Sequence, residues 1–594
     1  MKKIILSLAL VLLGFTNIYA TKAKSNITKK TLADGTIVSV VLRGDENFHY
    51  YTLLDGTPLK LNEQGKYTIS TQEELQSRYS DTQQALTNSL NASRASGIGN
   101  SKPAYFPHTG SPKTLVILTQ FQDVTFKSTD PVATFNHYFN GKIGEEEPAA
   151  TKEAYTTDEE HQFYGGARQY FSDMSQGQFT PEFDIVGPVT LSKNSAYYGA
   201  NDNSGNDKNF TQMISEACQL VDDKVNFADY DSDGDGYVDL VYIIYAGYSE
   251  SISGNSDDCL WPKSGTNIFY QTSNTSNQST NTRYPSNVLY LDGKQLCRYG
   301  INNELNETPN DEYADKYFLN GIGLFCHEFS HTMGIPDLYP TNDLTNDNQS
   351  PEYWSLMDMG EYTENGYRPT PFSPWEKSIM GWSEPTLLSS TESQQIKLEP
   401  YGSSNISYKI ENGNEAGEYL LLENIQNEGW FKGLPGYGLL VWRIDYADKS
   451  SVSLSDSPNN KARKPRVMVV PADGLVISST NQSHTTLEYF TSLQNDPFPA
   501  YGIGEDGCNV DSLISVQLNN SVLDDRPLYN IKKDETTGLV TFDYLKNYVT
   551  AIHPVISTQD EKPTEYYDLE GRKILVPQKG QLYVTNKGKK IIYQ

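Results

Sequence analysis

Short apolar runs separated by polar turn residues fill much of the chain, and this pattern predicts a β-rich protein. Near the amino terminus, the segments 36–42 and 50–54 are rich in β-branched, aromatic and leucine residues, and Asp-Gly pairs stand at 34–35 and 55–56. Such runs bounded by Asp-Gly turns are typical of β-hairpins. Residues 21 to about 90 are therefore predicted to form a small β-containing module.

A second unit mixes strand and helix patterns. It begins with the buried-strand run 114–118 and contains a second apolar strand at 238–246. Helical stretches are predicted near 165–175, 208–224 and 320–333. The unit ends near Trp382, after which strands and turns return.

The carboxy-terminal third is predicted to contain only strands and turns. Apolar segments such as 419–423 and 438–444 indicate a β-sandwich-like domain over residues 386–548. The last forty or so residues carry glycines at 571, 580 and 588, and we expect two or three short strands there.

The amino terminus has the composition of a secretory signal peptide. Lys2 and Lys3 precede the apolar run Ile4 to Phe15, and a polar stretch then ends at Ala20. The run is too short to span a bilayer, so we expect cleavage after Ala20 and a secreted or extracytoplasmic mature protein without a transmembrane segment. Residues 88–113 are rich in Asn, Ser, Ala, Gly and Pro, which predicts a flexible linker open to proteolysis at Arg94 or Lys102.

Charge and cysteine content exclude some functions. The formal net charge of −28 disfavours nucleic acid or an anionic membrane as a partner. Five cysteines are too few and too scattered for a disulfide framework, although a bridge between Cys259 and Cys297 stays open. Cys326 is expected to be a buried small hydrophobic residue.

The segment 327–337, His-Glu-Phe-Ser-His-Thr-Met-Gly-Ile-Pro-Asp, carries the strongest chemical signal. His327 and His331 project from one face of a helix and can bind one Zn²⁺, while Glu328 can take a proton from a water at that metal. Gly334 can end the helix with a positive φ, so that the chain turns back and brings Asp337 to the same metal. A random chain of this composition would contain about 0.01 such His-Glu-x-x-His matches.

The alternative is an amphipathic helix whose polar face is simply solvated. On a helical wheel, Ile322, Phe325, Phe329 and Met333 cluster opposite the two histidines. That arrangement also suits a helix that packs its back on a core and lines an active centre with its front. The solvated face explains neither the histidine spacing nor the Gly and Asp that follow.

An acidic loop gives a second metal signal. Residues 229–239 contain five aspartates within eleven positions. Their spacing resembles that of an EF-hand loop and predicts a structural Ca²⁺ site. The segment departs from the EF-hand pattern at Tyr242, which replaces the bidentate Glu, and a strand rather than a helix follows it. The expected ligands are Asp231, Asp233, Asp235, Tyr237 and Asp239. The alternative is a solvated acidic turn.

Residues 354–360, Trp-Ser-Leu-Met-Asp-Met-Gly, resemble the Met-turn of the metzincin peptidases, here at Met357. Finer motifs narrow the resemblance to secreted metallopeptidases of the immune inhibitor A type over residues 30–545. These motifs are Pro-Asp-Leu-Tyr at 336–339, Pro-Trp-Glu-Lys at 374–377, Ala-Arg-Gln-Tyr-Phe at 167–171 and Gly-Tyr-Gly-Leu-Leu-Val-Trp-Arg-Ile-Asp at 436–445.

This resemblance implies a fold class and specific roles. The fold is expected to be multidomain α+β, with a propeptide at 21–105, a metzincin-like catalytic domain at 106–385, the β-sandwich-like domain at 386–548 and a short β tail at 549–594. Asp337 is expected as the third zinc ligand, where many metzincins carry His, with carboxylates such as Glu361 as the alternative. Tyr362 is expected to help stabilise the tetrahedral intermediate, or else to be a packing aromatic. From Tyr567 the tail resembles attachment or sorting segments of secreted Bacteroidetes proteins, or else is an accessory β-unit.

The sequence therefore predicts a secreted zinc endopeptidase of protein or peptide substrates, made as a zymogen that its propeptide inhibits in cis. The competing hypotheses are a non-catalytic binding or adhesive protein that keeps a peptidase-like shell, and a metal-dependent hydrolase of another bond. Glu328 and both histidines are present, which favours catalysis.

Overall fold

The computed structural model forms two compact units, residues 1–546 and 547–594. The first 16 residues, most of the predicted signal peptide, and Lys102 of the predicted linker lie outside the described part. The residues described are 17–24, 26–95, 105–159, 161–201, 206–252, 254–272, 288–306, 316–341, 349–413, 417–447, 449–454, 456–479, 484–503, 508–545, 566–567, 573–574, 578–579, 582–585 and 590–592.

The amino-terminal module (residues 21–95) contains the predicted hairpins and one helix that was not predicted. Its strands and helix are β2 (Thr28–Thr31), β3 (Ile37–Gly44), β4 (His49–Leu53), β5 (Leu59–Leu61), β6 (Tyr67–Ile69) and α1 (Gln72–Ala95). Strands β2, β3 and β4 form one antiparallel sheet, and β5 and β6 form a hairpin. The predicted linker was wrong at its start, because residues 88–95 continue α1. No Gly or Pro interrupts 72–95, so the helix can continue through this polar sequence.

The middle of the chain alternates strands and helices. Its elements are β7 (Lys113–Gln120), α2 (Pro131–Asn140), α3 (Ala149–Ala154), α4 (Ala167–Met174), β8 (Glu182–Thr190), α5 (Ser195–Gly199), α6 (Phe210–Val221), β9 (Val241–Tyr245), β10 (Lys263–Thr266), β11 (Tyr290–Leu291), β12 (Lys294–Gln295), β13 (Arg298–Asn303), α7 (Gly323–Thr332) and α8 (Pro374–Met380). The strands predicted at 114–118 and 238–246 correspond to β7 and β9. The three predicted helices correspond to α4, α6 and α7.

A six-stranded mixed sheet organises this region. The strand β1 (Asn17–Ala20) lies at one edge, and the order is β1-β10-β13-β9-β7-β8. Strands β13, β9, β7 and β8 are parallel, whereas β10 is antiparallel to β13 and β1 is antiparallel to β10. Cleavage after Ala20 would remove β1 and leave one edge of β10 without this neighbour.

The sheet separates two hydrophobic cores. On one face, Val116 and Leu118 pack with apolar residues of α7, among them Phe325 and Phe329. On the other face, Leu115 packs with residues of α6. The helices thus cover both faces, as alternating inward and outward side chains of the strands require.

Among the described residues, three further sheets follow within the same compact unit, one of them a two-stranded pair. Their strands are β14 (Thr386–Leu387), β15 (Gln394–Leu398), β16 (Tyr408–Glu411), β17 (Glu418–Ile425), β18 (Gly438–Asp445), β19 (Val467–Val469), β20 (Val516–Gln517), β21 (Val522–Leu523), β22 (Leu528–Lys533) and β23 (Val540–Tyr544), with helices α9 (Tyr401–Ser404) and α10 (Thr486–Gln494). The sheets β14-β16-β17-β18-β19 and β15-β23-β22 share a core that includes Leu398, Leu422 and Phe542. Trp430 and Trp442 of this region join the core that contains α7.

The second unit contains one small sheet. Its strands are β24 (Tyr566–Tyr567), β25 (Lys573–Ile574), β26 (Leu582–Thr585) and β27 (Lys590–Ile592), in the order β25-β24-β26-β27. The described residues of this unit thus form four strands where two or three were predicted, because the two-residue strands β24 and β25 are too short to give a sequence pattern.

All five cysteines are free, so Cys259 and Cys297 do not form the bridge left open above. Cys326 is buried in the core, as predicted. Within the described ranges, no helix is both long and apolar enough to cross a membrane.

Candidate active site

Helix α7 and the turn that follows it bring three ligand atoms to one point. The Nε2 atoms of His327 and His331 lie 3.2 Å apart, and each lies 3.2 Å from Oδ1 of Asp337. A tetrahedral zinc ion with ligand distances of roughly 2.0–2.1 Å requires its ligand atoms to be about 3.3 Å apart. The three residues named from the sequence therefore fit one zinc ion.

Main-chain carbonyls hold both imidazoles in the orientation that a metal requires. Nδ1 of His327 lies 2.9 Å from the oxygen of Leu356, and Nδ1 of His331 lies 2.7 Å from the oxygen of Ile335. Because a carbonyl only accepts, each Nδ1 carries a hydrogen, and Nε2 is the atom of each ring that is left to bind a metal.

Gly334 places the third ligand. Its φ of +101° allows the chain to leave α7 sharply, and a side chain there would also contact the ring of Tyr105. The turn returns Asp337 to the two histidines. Burial alone would raise the pKa of Asp337, but the adjacent histidines outweigh it and hold that pKa below its usual value.

The three ligand atoms and the side chains around them, here called the centre, include more negative than positive groups. This excess of negative charge favours the binding of a cation. Burial opposes a charge on His327, yet Glu361, Asp337 and Glu328 together raise its pKa to about 10. Glu328 is fully buried, and within the described part neither of its carboxylate oxygens has a hydrogen-bond partner. A carboxylate left in this state beside two histidines is suited to act on a water molecule at the metal.

The segment resembling a Met-turn lies directly beside helix α7. Leu356 supplies the carbonyl for His327, and the oxygen of the buried Met357 accepts a 2.8 Å hydrogen bond from the amide of Leu338. These bonds connect the turn to α7 and to the segment that carries Asp337. The turn therefore fixes the positions of two of the three ligands.

Glu361 and Tyr362 lie near the centre in different roles. A carboxylate oxygen of Glu361 lies 3.9 Å from Nδ1 of His327, on the side of the ring away from Asp337. Gly323 permits this approach, because a side chain there would collide with the Glu361 carbonyl. The hydroxyl of Tyr362 donates a 2.7 Å hydrogen bond to the main-chain oxygen of Lys22. Tyr362 thus presents its hydroxyl to a peptide carbonyl.

The amino-terminal module covers the centre. Thr21 donates a hydrogen bond to the carboxylate of Glu361, and its carbonyl accepts a 3.1 Å bond from Nε1 of Trp261. Between β3 and β4, the buried Glu46 is close enough to Asp337 for that charge to raise its pKa, after the larger effects of burial and Asp45. Every residue of α7 is buried, so the solvated-face alternative was wrong. The sequence carried no signal for these covering contacts.

The acidic loop brings together part of its predicted ligand set. Carboxylates of Asp231, Asp233 and Asp239 lie close enough to share one cation. Asp235 instead accepts from the amide of Tyr237, outside this cluster. Asp231 is also paired with Lys294, which the sequence did not indicate.

Comparisons with known proteins point to the same chemistry. Residues 104–383, slightly less than half of the chain, match the family described as immune inhibitor A peptidase M6, catalytic domain. The pre-pro-metalloprotease PrtV of Vibrio cholerae serotype O1 is 27% identical over 233 residues, which are 36% of this chain and 23% of that protein. Immune inhibitor A of Bacillus thuringiensis subsp. alesti is 25% identical over 309 residues, 46% of this chain and 40% of that protein.

The chain thus spans well under half the length of these curated relatives. The family match and the two relatives support a metallopeptidase that hydrolyses peptide bonds in proteins, with a metal that is usually zinc in such enzymes.

Proposed function

We propose that this protein is a secreted zinc-dependent endopeptidase, made as a zymogen, that cleaves extracellular proteins or peptides. The observation that carries the proposal is the 3.2 Å triangle of His327, His331 and Asp337, with the buried carboxylate of Glu328 beside it, which has no hydrogen-bond partner among the described residues. A zinc ion held there would polarise the scissile carbonyl and make a water molecule more acidic.

The protein's own groups perform the proton transfers. Glu328 accepts the proton of the attacking water and then passes it to the leaving amine, as a general base and then a general acid. Its burial favours this double role, because burial raises the pKa of Glu328 well above that of an exposed carboxylate. Tyr362 donates its hydroxyl hydrogen to a peptide oxygen, as it does to the carbonyl of Lys22, and so would stabilise negative charge that develops there.

The amino-terminal module is the inhibitory propeptide of this proposal. Thr21 contacts Glu361, which borders His327, and the carbonyl of Lys22 accepts a hydrogen bond from Tyr362. Trp261 lies two residues before β10, and its hydrogen bond to the carbonyl of Thr21 holds this segment in place. A substrate chain would need the same space, so the module must leave before catalysis.

The proposal also includes a structural Ca²⁺ ion that the protein binds at residues 229–239. Asp231, Asp233 and Asp239 supply oxygen ligands of the kind that Ca²⁺ prefers. Their mutual repulsion explains why a cation would stabilise the start of β9, which follows at Val241.

Proteolysis of a denatured protein tests the function. The protein from which limited trypsin treatment has removed the amino-terminal module, here called the trimmed protein, should degrade this substrate. A zinc chelator should stop the reaction, and added Zn²⁺ should restore it. Glu328→Ala protein, trimmed in the same way, is the matched control. Absence of cleavage by trimmed, zinc-loaded wild-type protein would contradict the proposal.

A further inference from the structure

A small acidic recess lies beside helix α7. It is formed by Asp358, Glu352, Ser479 and Tyr339 and is here called the Asp358 recess. The carboxylate of Asp358 is fully buried, and its Oδ2 accepts a 2.7 Å hydrogen bond from the amide of Glu352. Its Oδ1 has no hydrogen-bond partner within the described residues. The recess therefore contains a buried anionic oxygen that is only partly satisfied.

The side chain of Lys22 occupies this recess. Its Nζ lies 3.6 Å from Oδ1 of Asp358, 3.2 Å from Oγ of Ser479 and 5.7 Å from the ring centre of Tyr339. Only 10% of the Lys22 side chain is exposed. Among the described residues, Lys22 is the cation that faces Asp358.

Main-chain hydrogen bonds hold the segment that places this side chain in the recess. Tyr362 bonds to the carbonyl of Lys22, and Trp261 bonds to the carbonyl of the preceding Thr21. Thr21 itself reaches Glu361, whose other carboxylate oxygen lies 3.9 Å from His327. The basic side chain therefore belongs to the residue that follows the one in contact with Glu361.

We infer that the Asp358 recess is a substrate subsite that selects a lysine or arginine side chain close to the cleaved bond, an inference that rests on the proposed peptidase function. Once the amino-terminal module leaves, the buried carboxyl of Asp358 loses the cation that faces it. A basic substrate side chain restores the ion pair, whereas an apolar or acidic one leaves Oδ1 unpaired. Hydrogen bonds to charged groups of this kind correspond to roughly 10- to 100-fold in kcat/KM.

The test begins with the cleavage sites of the trimmed wild-type protein. After covalent inhibition of the trimming protease, the protein digests a denatured protein mixture, and mass spectrometry identifies the new ends. Cuts that also occur with trimmed Glu328→Ala protein are subtracted as residual trypsin activity. Lys and Arg should be enriched at one fixed position relative to the cleaved bond. No enrichment at any fixed position overturns the inference and leaves the proposed function intact, whereas no cleavage at all overturns both.

Matched peptides then assign the preference to Asp358. The best-cleaved peptide is compared with the same peptide carrying norleucine in place of the basic residue, and the lysine peptide should have a 10- to 100-fold higher kcat/KM. Asp358→Asn should bring this ratio close to one. Glu216→Gln, a carboxylate-to-amide change on α6 across the sheet from α7, should leave it unchanged.

A milder variant protects the test against misfolding. Ser479→Ala keeps the Asp358 charge but removes one partner of the bound amine, so it should lower the lysine-to-norleucine ratio severalfold. If Asp358→Asn does not fold, the wild-type and Ser479→Ala ratios decide. Two outcomes would show that the recess only anchors the amino-terminal module. One is a lysine-to-norleucine ratio of kcat/KM near one in wild type, and the other is a ratio that neither Asp358→Asn nor Ser479→Ala changes.

Discussion

The hydroxyl of Tyr362 donates a 2.7 Å hydrogen bond to the main-chain oxygen of Lys22, across 340 positions of the sequence. This bond ties the second residue after the predicted signal peptide to the segment that follows Met357. The same short stretch, Thr21–Lys22, contacts Glu361 and Asp358. The segment Thr21–Lys22 thus contacts side chains of the candidate active site. These contacts give the zymogen hypothesis specific residues to test.

Replacement of Glu328 should separate catalysis from metal binding. Glu328→Ala removes the proton acceptor but none of the three ligand atoms that lie 3.2 Å apart. Proteolysis should fall by at least 10² to 10⁴-fold, while zinc content by atomic absorption stays near one per chain. Activity within threefold of wild type would contradict the mechanism.

Asp337→Ala should lower zinc occupancy more than Glu328→Ala does. It removes one of three ligands, and Glu361 cannot take its place easily because it lies beside Nδ1 of His327 rather than Nε2. Dialysis against graded chelator concentrations followed by metal analysis measures the difference. Zinc retention equal to wild type would mean that the third ligand is another residue.

Limited trypsin treatment of the precursor should raise its activity. Arg94 lies at the end of α1, and Lys102 is followed by Pro103, so we expect the first activating cut near Arg94. Released fragments are identified by mass spectrometry, and Glu328→Ala precursor trimmed in parallel shows the background. A precursor that is already as active as the trimmed protein would refute inhibition in cis.

Lys22→Met should destabilise the precursor in a pH-dependent manner. Burial raises the pKa of Asp358 to about 6, and Lys22 keeps it from rising further. A folded-state pKa above the unfolded value of about 3.8 means that the stability contribution is full at low pH and is lost as the pH rises through the folded pKa. Without Lys22 the folded pKa is higher, so the loss continues to a higher pH.

Thermal unfolding of the Lys22→Met precursor should therefore match wild type near pH 5. At pH 8 it should show a loss of about 1–3 kcal/mol in unfolding free energy. Adding Asp358→Asn to Lys22→Met should remove the difference between the two pH values, since no charge is then left without its partner. An equal loss at both pH values would exclude Asp358 as the titrating group.

Calcium should stabilise the protein without changing its zinc content. At a concentration one hundred times its dissociation constant, the gain in unfolding free energy is roughly 2.7 kcal/mol. The double variant Asp231→Asn with Asp233→Asn should lose the calcium-dependent rise in Tm. Asp229→Asn, which lies in the same loop but outside the carboxylate cluster, should retain it. A full calcium response in the double variant would show that the loop is a solvated turn.

The sequence by itself determined the features that depend on neighbours in the chain. The spacing of His327 and His331 depends only on helical periodicity, and Gly334 with Asp337 depends on one turn, so the metal triangle could be predicted from eleven consecutive residues. The apolar face of α7 and the main strands of the sheet followed from the same local periodicities.

The tertiary structure decided what lies against that triangle. Neither Lys22 nor Asp358 lies in a local sequence pattern that predicts its partner, because their contact depends on how β10, α7 and the segment after Met357 pack together. The same holds for Lys294 beside Asp231 and for the loop that carries Glu46. Local sequence encodes helices, turns and ligand spacing, whereas contacts between residues far apart in the sequence arise only when packing brings separate elements together.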